Sequence, residues 1–165
     1  MKSKKSIATV FLTLIPVLIL MITIFYFSAQ EATVSHRSSS GIVSKTVMLL
    51  YPRFRELDEA GQALVLRTIT FLVRKGAHLT EYLLLGLALA AHIRAISACR
   101  EIAHPHVMAY GIGTLYAVTD ELHQLFVPGR SGEVRDMLLD SFGVLLGVLL
   151  IRLLAWLRDK GRQAV

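Results

Sequence analysis

Apolar residues along the chain gather into four long runs separated by polar connections. The runs are Ile7–Phe27, Ala77–Ile96, Val107–Val127 and Met137–Leu157. Each is close to the ~20 residues that an α-helix needs to cross a bilayer core. The pattern predicts an all-α, polytopic membrane protein with four transmembrane helices, residues 1–165 forming one membrane domain. The connection from Ser28 to Lys75 is long, and a structureless loop of that size would be unusual in so small a domain. Within it, Ile42, Val43, Thr46, Val47, Leu49 and Leu50 recur at helical spacing behind a Ser38–Ser40 cap, and Tyr51-Pro52 ends the run. Asp58 can cap a second segment carrying Leu64, Val65, Ile69, Phe71 and Leu72. Both segments mix apolar with charged residues, as short helices lying in the membrane interface do. The alternative for the second is a plain extension of the Ala77–Ile96 helix.

Composition supports the membrane reading. The chain is 54% hydrophobic with a mean hydropathy of +0.56, more apolar than a soluble domain of this size. Its net charge of +6 would suggest nucleic acid in a soluble protein. Here the basic residues flank apolar runs, where they anchor helices and meet anionic headgroups. The lipid bilayer is the expected partner, and nucleic acid is not. The one cysteine, Cys99, excludes an internal disulfide and a thiolate zinc site.

Lys2, Lys4 and Lys5 precede the first run. That run exceeds the ~7–15 apolar residues of a signal core, and no small-x-small cleavage site follows it, so it is expected to be a retained helix. The basic start and the basic tail of Arg152, Arg158, Lys160 and Arg162 place both termini in the cytoplasm of a multi-pass cell-membrane protein. Arg94 and Arg100, between the second and third runs, agree with it, but over the whole chain the 18 basic residues divide evenly between the two sides, so the orientation rests on the two ends of the chain.

With that topology, polar residues distant in sequence meet in the outer half of the membrane. Ser28 and Gln30 end the first helix. Arg74, Lys75, His78, Glu81 and Tyr82 begin the second. Asp120, Glu121, His123 and Gln124 end the third, Arg130 lies in the turn, and Asp136 and Asp140 begin the fourth. Ionisable groups at membrane depth cost at least ~2.5 kcal/mol each on insertion scales, which makes them functional candidates. At ~100° per residue, Lys75, His78, Tyr82 and Gly86 share an arc of about 80°. Asp136, Asp140, Gly143 and Gly147 form one stripe, whose glycines allow close helix approach. The adjacent acids Asp120 and Glu121 require cationic partners, protons or a metal, and Arg130, Lys75 and His78 are the available cations. Val127-Pro128-Gly129-Arg130 is a turn by its chemistry, and it presents an arginine suited to phosphate or carboxylate.

Three blocks resemble the VanZ-like family of small bacterial membrane proteins, named for a protein associated with teicoplanin resistance. They are Phe27-Ser28-Ala29-Gln30, then Lys75-Gly76-Ala77-His78-Leu79-Thr80-Glu81-Tyr82 with Leu85-Gly86, then Thr119-Asp120-Glu121-Leu122-His123-Gln124-Leu125-Phe126-Val127-Pro128-Gly129-Arg130 with Asp136, Asp140 and Gly143. Asp140 stands where the family often has Asn. The resemblance implies a multi-helix integral membrane protein of the cell envelope, and it supplies no established reaction.

Two functions compete. One is an envelope factor that confers or modulates glycopeptide resistance through the outer polar site. The other is a membrane-embedded enzyme acting on a lipid-linked or phosphorylated envelope substrate. The partner is then a lipid-linked wall precursor or a phospholipid headgroup. In the enzyme reading His78, Glu121 and Asp120 carry acid/base chemistry, while Lys75, Glu81, Tyr82, Gln124, Arg130, Ser28 and Gln30 bind substrate. Asp120, Glu121, Asp136 and Asp140 are the metal candidates, an oxygen-rich set suited to Mg²⁺, Mn²⁺ or Ca²⁺ as a divalent cofactor. A conducting monomer is excluded by the apolar inner half.

Overall fold

A computed structural model of the chain describes residues 2–30, 41 and 43–163, with side chains from Ile7 onward. It is helical throughout, with no strand among the described residues. Helix α1 runs Lys2–Ser28. Gly41 and residues 43–50 are helical (α2), and a 3₁₀ turn follows at Pro52–Glu56. Then come α3, Glu59–Ser97, α4, Pro105–Gln124, and α5, Val134–Gln163. The expected cap at Ser38–Ser40 and the contact face of Ile42 lie outside the described residues.

The main correction concerns α3. Asp58 does act as a cap, its Oδ1 accepting from the Gly61 N–H at 2.9 Å. The segment it starts is not a separate interfacial helix, however. It continues unbroken through Val73-Arg74-Lys75-Gly76 into the apolar run. The strongest breaker there is Gly76, worth only ~1 kcal/mol against Ala in a helix interior. At 1.5 Å per residue the 39 residues of α3 span about 58 Å, nearly twice a hydrocarbon core. Its first half has a small core of its own. Val43, Val47 and Phe54 fold back onto Leu57, Val65, Leu66 and Ile69, so α2 and the 3₁₀ turn pack on protein.

Three helices are long and apolar enough to cross a membrane: α1 from Ile7 to Ser28, α3 and α5. Helix α4 is long enough at 20 residues, but its composition is less apolar. The sequence expectation of Val107–Val127 as the third run overstated it, because the helix ends at Gln124 with Asp120, Glu121 and Gln124 turned inward and buried.

Helix α3 is the hub of the bundle, packing on α1, α4 and, most extensively, α5. The main core joins Val17, Ile24, Tyr82, Leu85, Leu89, Ile93, Ala109, Ala117, Val144 and Val148. Helices α3 and α5 run parallel, and glycines set their separation. A Cβ on Gly147 would lie 2.2 Å from the Leu83 carbonyl oxygen, and one on Gly86 2.3 Å from that of Val144. Backbone therefore meets backbone, as the glycine stripe on α5 predicted. Large apolar side chains such as Phe11, Leu12, Ile22, Leu115 and Leu153 face outward, the arrangement a lipid surround requires.

Candidate functional site

The α4–α5 turn organises the polar end of the bundle. Gly129 takes φ 74°, the left-handed region that glycine enters without a Cβ penalty, and the Arg130 N–H closes onto the Val127 carbonyl at 3.1 Å. Beyond it the chain passes so close to α4 that a Cβ on Gly132 would lie 2.5 Å from the Glu121 carbonyl oxygen. That approach delivers the Glu133 N–H to Glu121 Oε2 at 3.0 Å.

Three carboxylates are buried behind this turn. Glu121 and Asp140 are fully buried and Asp120 is 3% exposed. Glu121 Oε1 accepts from Gln124 Nε2 at 3.0 Å. Asp120 Oδ2 accepts from the Tyr82 hydroxyl at 3.1 Å and from Gln124 Nε2 at 3.4 Å. Asp120 Oδ1 and both oxygens of Asp140 have no hydrogen-bond partner. His78 Nδ1, also without one, lies 3.8 Å from Asp140 Oδ1. One oxygen from each of Asp120, Glu121 and Asp140 falls within 4.8 Å of the other two. Of the four metal candidates, these three come together. Asp136 is instead engaged by Lys75.

The expectation that Lys75 or Arg130 pairs with Asp120 or Glu121 is not what forms. Lys75 bridges α3 to the first turn of α5 through Asp136. Arg130 Nε donates to the Gln30 carbonyl at 2.8 Å, and its Nη2 donates to the Phe27 carbonyl at 2.8 Å. Its Nη1 reaches Gln124 Oε1 at 3.4 Å. The physical reason is the free carbonyls at the end of α1: a helix C-terminus leaves acceptors without intrahelical donors, and a guanidinium fits them. Gln124, bonded to Arg130 and to both acids, stands between the cation and the carboxylates. Burial lowers the pKa of Arg130, as does Arg74, whereas Asp120, Glu121 and Glu81 raise it. Arginine's wide margin above neutrality keeps it charged.

Two cavities open at this end. One, of about 240 Å³, is lined by Phe71, Arg74, Lys75, His78, Gln124, Arg130, Glu133 and Asp136, among others. The second, of about 220 Å³, is lined by Ile24, Phe27, Ser28, Gln30, Ala77, Glu81 and again Arg74, His78 and Arg130. Thus Lys75 and Gln124 face the first, Ser28, Gln30 and Glu81 the second, and His78 and Arg130 both. Tyr82, Asp120, Glu121 and Asp140 line neither. They form a buried layer beneath, with Ser28 also buried and its hydroxyl unpartnered. His123 stands apart, its ring stacked on Phe25 at 4.6 Å.

Sequence reasoning missed three parts of this arrangement. It placed Arg74 in the polar patch without a role in binding, yet Arg74 lines both cavities. Glu133 supplies a backbone N–H that no residue-type pattern could indicate. Tyr116 donates to the Met21 carbonyl at 2.6 Å, tying α4 to α1, and only its position shortly before Asp120-Glu121 hinted at it.

These features define a class: a helical bundle with membrane-crossing character, whose buried carboxylates gather at one end beneath a basic rim. More narrowly, the chain belongs to the VanZ/LLP1 family, whose profile matches residues 13–155, nearly its whole length. No curated protein and no solved structure matches it.

Proposed function

We propose that this is a four-span envelope membrane protein whose polar end receives the anionic, phosphate-bearing headgroup of an envelope lipid, and that it thereby modulates the action of teicoplanin-type glycopeptides. One observation carries the reading: Arg74, Lys75, Arg130 and His78 converge on a 240 Å³ cavity at the end of the bundle. Three of the five guanidinium donors of Arg130 are engaged by protein, leaving two for a ligand. Helix α4 is the fourth crossing, its acids tolerated because neighbouring helices cover them. With the basic start and tail inside, both termini are cytoplasmic and the cavity lies in the outer half of the membrane. Glycopeptides act there, on lipid-linked wall precursors.

The test is expression in a glycopeptide-susceptible Gram-positive host. A rise in the inhibitory concentration of teicoplanin is expected. Lys75→Ala and His78→Ala should remove it at unchanged membrane abundance. An unaltered inhibitory concentration with abundant wild-type protein would refute the resistance reading. Reporter fusions after Lys160 and near Arg55 test the orientation, with cytoplasmic and external signals expected respectively.

A second reading has a specific observation behind it. His78 Nδ1 faces the buried Asp140 at 3.8 Å while the residue also lines both cavities. An imidazole that faces a buried carboxylate on one side and a cavity on the other is placed as a general acid or base would be. In that reading the protein is a membrane-embedded enzyme acting on a lipid-linked or phosphorylated envelope substrate. Release of phosphate or of a water-soluble headgroup from isolated envelope lipids by the wild type, but not by His78→Gln, would distinguish it from a binding role.

A further inference from the structure

The buried carboxylate layer is a second centre beneath the basic rim, and it faces a different chemical problem. Asp120 and Glu121 follow one another on α4, whereas Asp140 comes from α5. Asp140 is fully buried and neither of its oxygens has a hydrogen-bond partner. It nonetheless points at the α4 pair, since one oxygen from each of the three lies within 4.8 Å of the others. Asp120 Oδ1 is likewise without a hydrogen-bond partner. The two strong cations nearby do not supply the missing charge. Lys75 is bound to Asp136, and Arg130 directs its donors to the Phe27 and Gln30 carbonyls and Gln124. Three ionised carboxylates left this way would cost several kcal/mol each.

We infer that Asp120, Glu121 and Asp140 bind a divalent cation of the Mg²⁺/Mn²⁺ class, with His78 Nδ1 beside it. Ligand type favours hard, oxygen-seeking ions. Spacing agrees, because oxygens on opposite sides of a Mg²⁺ or Ca²⁺ ion are about 4 to 5 Å apart and adjacent ones are closer. Asp140 and Asp120 Oδ1 offer oxygens without donors. Each Glu121 oxygen accepts one hydrogen bond, Oε1 from Gln124 and Oε2 from the Glu133 N–H, which fixes its orientation and leaves a lone pair for an ion. His78 Nδ1, 3.8 Å from Asp140 Oδ1, forms the wall between the layer and both cavities. It offers a fourth ligand and an entry route. The cation site does not depend on the headgroup reading: it is built from residues that line neither cavity, apart from His78.

The experiment uses the full-length protein purified in detergent and treated with chelator. Mn²⁺ is titrated while the free-ion signal is followed by electron paramagnetic resonance. One saturable Mn²⁺ per chain is expected, displaced by excess Mg²⁺, together with a rise in melting temperature on binding. Asp140→Asn and Asp120→Asn should each weaken binding by at least about tenfold, the low end of what even outer partners of metal ligands contribute. Asp159→Asn, at the opposite end of the molecule, should leave it unchanged. Glu121→Gln serves as a third probe where one of the aspartate variants does not fold. Absence of saturable Mn²⁺ binding, or binding that survives both aspartate substitutions, overturns the site. A proton shared among the three acids is the alternative, and Asp140→Asn that raises the melting temperature while the wild type binds no Mn²⁺ would establish it.

Discussion

The two ends of the bundle handle burial in opposite ways. Toward the far end, α3 and α5 meet through apolar side chains and glycine backbone, with Leu89, Ile93, Val144 and Val148 filling the gaps. A part-buried polar contact lies beside them between α3 and α1, His92 Nδ1 to Thr13 Oγ1 at 3.1 Å, and on α4 His106 Nδ1 and Thr114 Oγ1 are buried without a hydrogen-bond partner. At the other end, five of the described residues keep buried polar atoms without a hydrogen-bond partner: Ser28, His78, Asp120, His123 and Asp140. A membrane core offers such groups no water, and each unsatisfied one costs energy. Away from the polar end such groups are fewer, and none of them is a carboxylate. The polar end retains groups whose burial is unfavourable unless something binds them, and it does so on the same helices, a few turns apart.

That contrast can be broken most severely at the glycines. A Gly147→Leu chain has no room, since even a Cβ would lie 2.2 Å from Leu83 O and 2.6 Å from Leu87 N. Overpacking generally costs ~1–3 kcal/mol, occasionally more. Here two backbones must part, and loss of the monodisperse peak in size-exclusion chromatography is expected. Gly111→Leu meets nothing within 4 Å and should elute as wild type.

Next in size is Arg130→Ala. It removes three hydrogen bonds, to the Gln30 and Phe27 carbonyls and to Gln124 Oε1, each worth about 1 kcal/mol net. A clear fall in melting temperature is expected. Neutralising Glu121 in the same chain should restore little of it, because Gln124 and not Glu121 is the direct partner of Arg130. Full recovery in the double variant would reinstate a direct ion pair.

Tyr82→Phe is a smaller change. It deletes the donor to Asp120 and keeps the ring in the core, for a loss of about 1 kcal/mol in thermal or denaturant unfolding. At the bottom of the scale is Leu115→Ala. Its side chain is exposed, and a change within about 0.5 kcal/mol is expected. A larger loss would mean that this face is covered by protein in the membrane.

The polar end was more legible in the sequence than its connections were. Asp120, Glu121, Asp140, His78 and Tyr82 could be placed together because a carboxylate inside an apolar run must turn from lipid toward polar neighbours, and the helical arcs leave few neighbours to choose from. The glycine stripe on α5 was readable for the same reason: its spacing has one geometric consequence. Pairings were not readable. Lys75 and Arg130 are long cations within reach of several acceptors: Lys75 takes Asp136 on α5, and Arg130 the carbonyls left at the end of α1. The unity of α3 was obscured because Asp58 signals a start and the charged run Arg74-Lys75 imitates a boundary. A helix can pass through such a stretch when packing on both sides favours it, as α2 on one half and α5 on the other do here.

The clasp of Arg130 on α1 also has a consequence in time. The carbonyls it holds belong to residues 100 and 103 positions earlier in the chain. During synthesis, α1 is therefore in place long before the arginine that fastens its end exists. Until α4 and the turn behind it have been made, the end of α1 has no such fastening and both cavities lack the wall that Arg130 supplies. The polar end is therefore completed only by the last pair of helices.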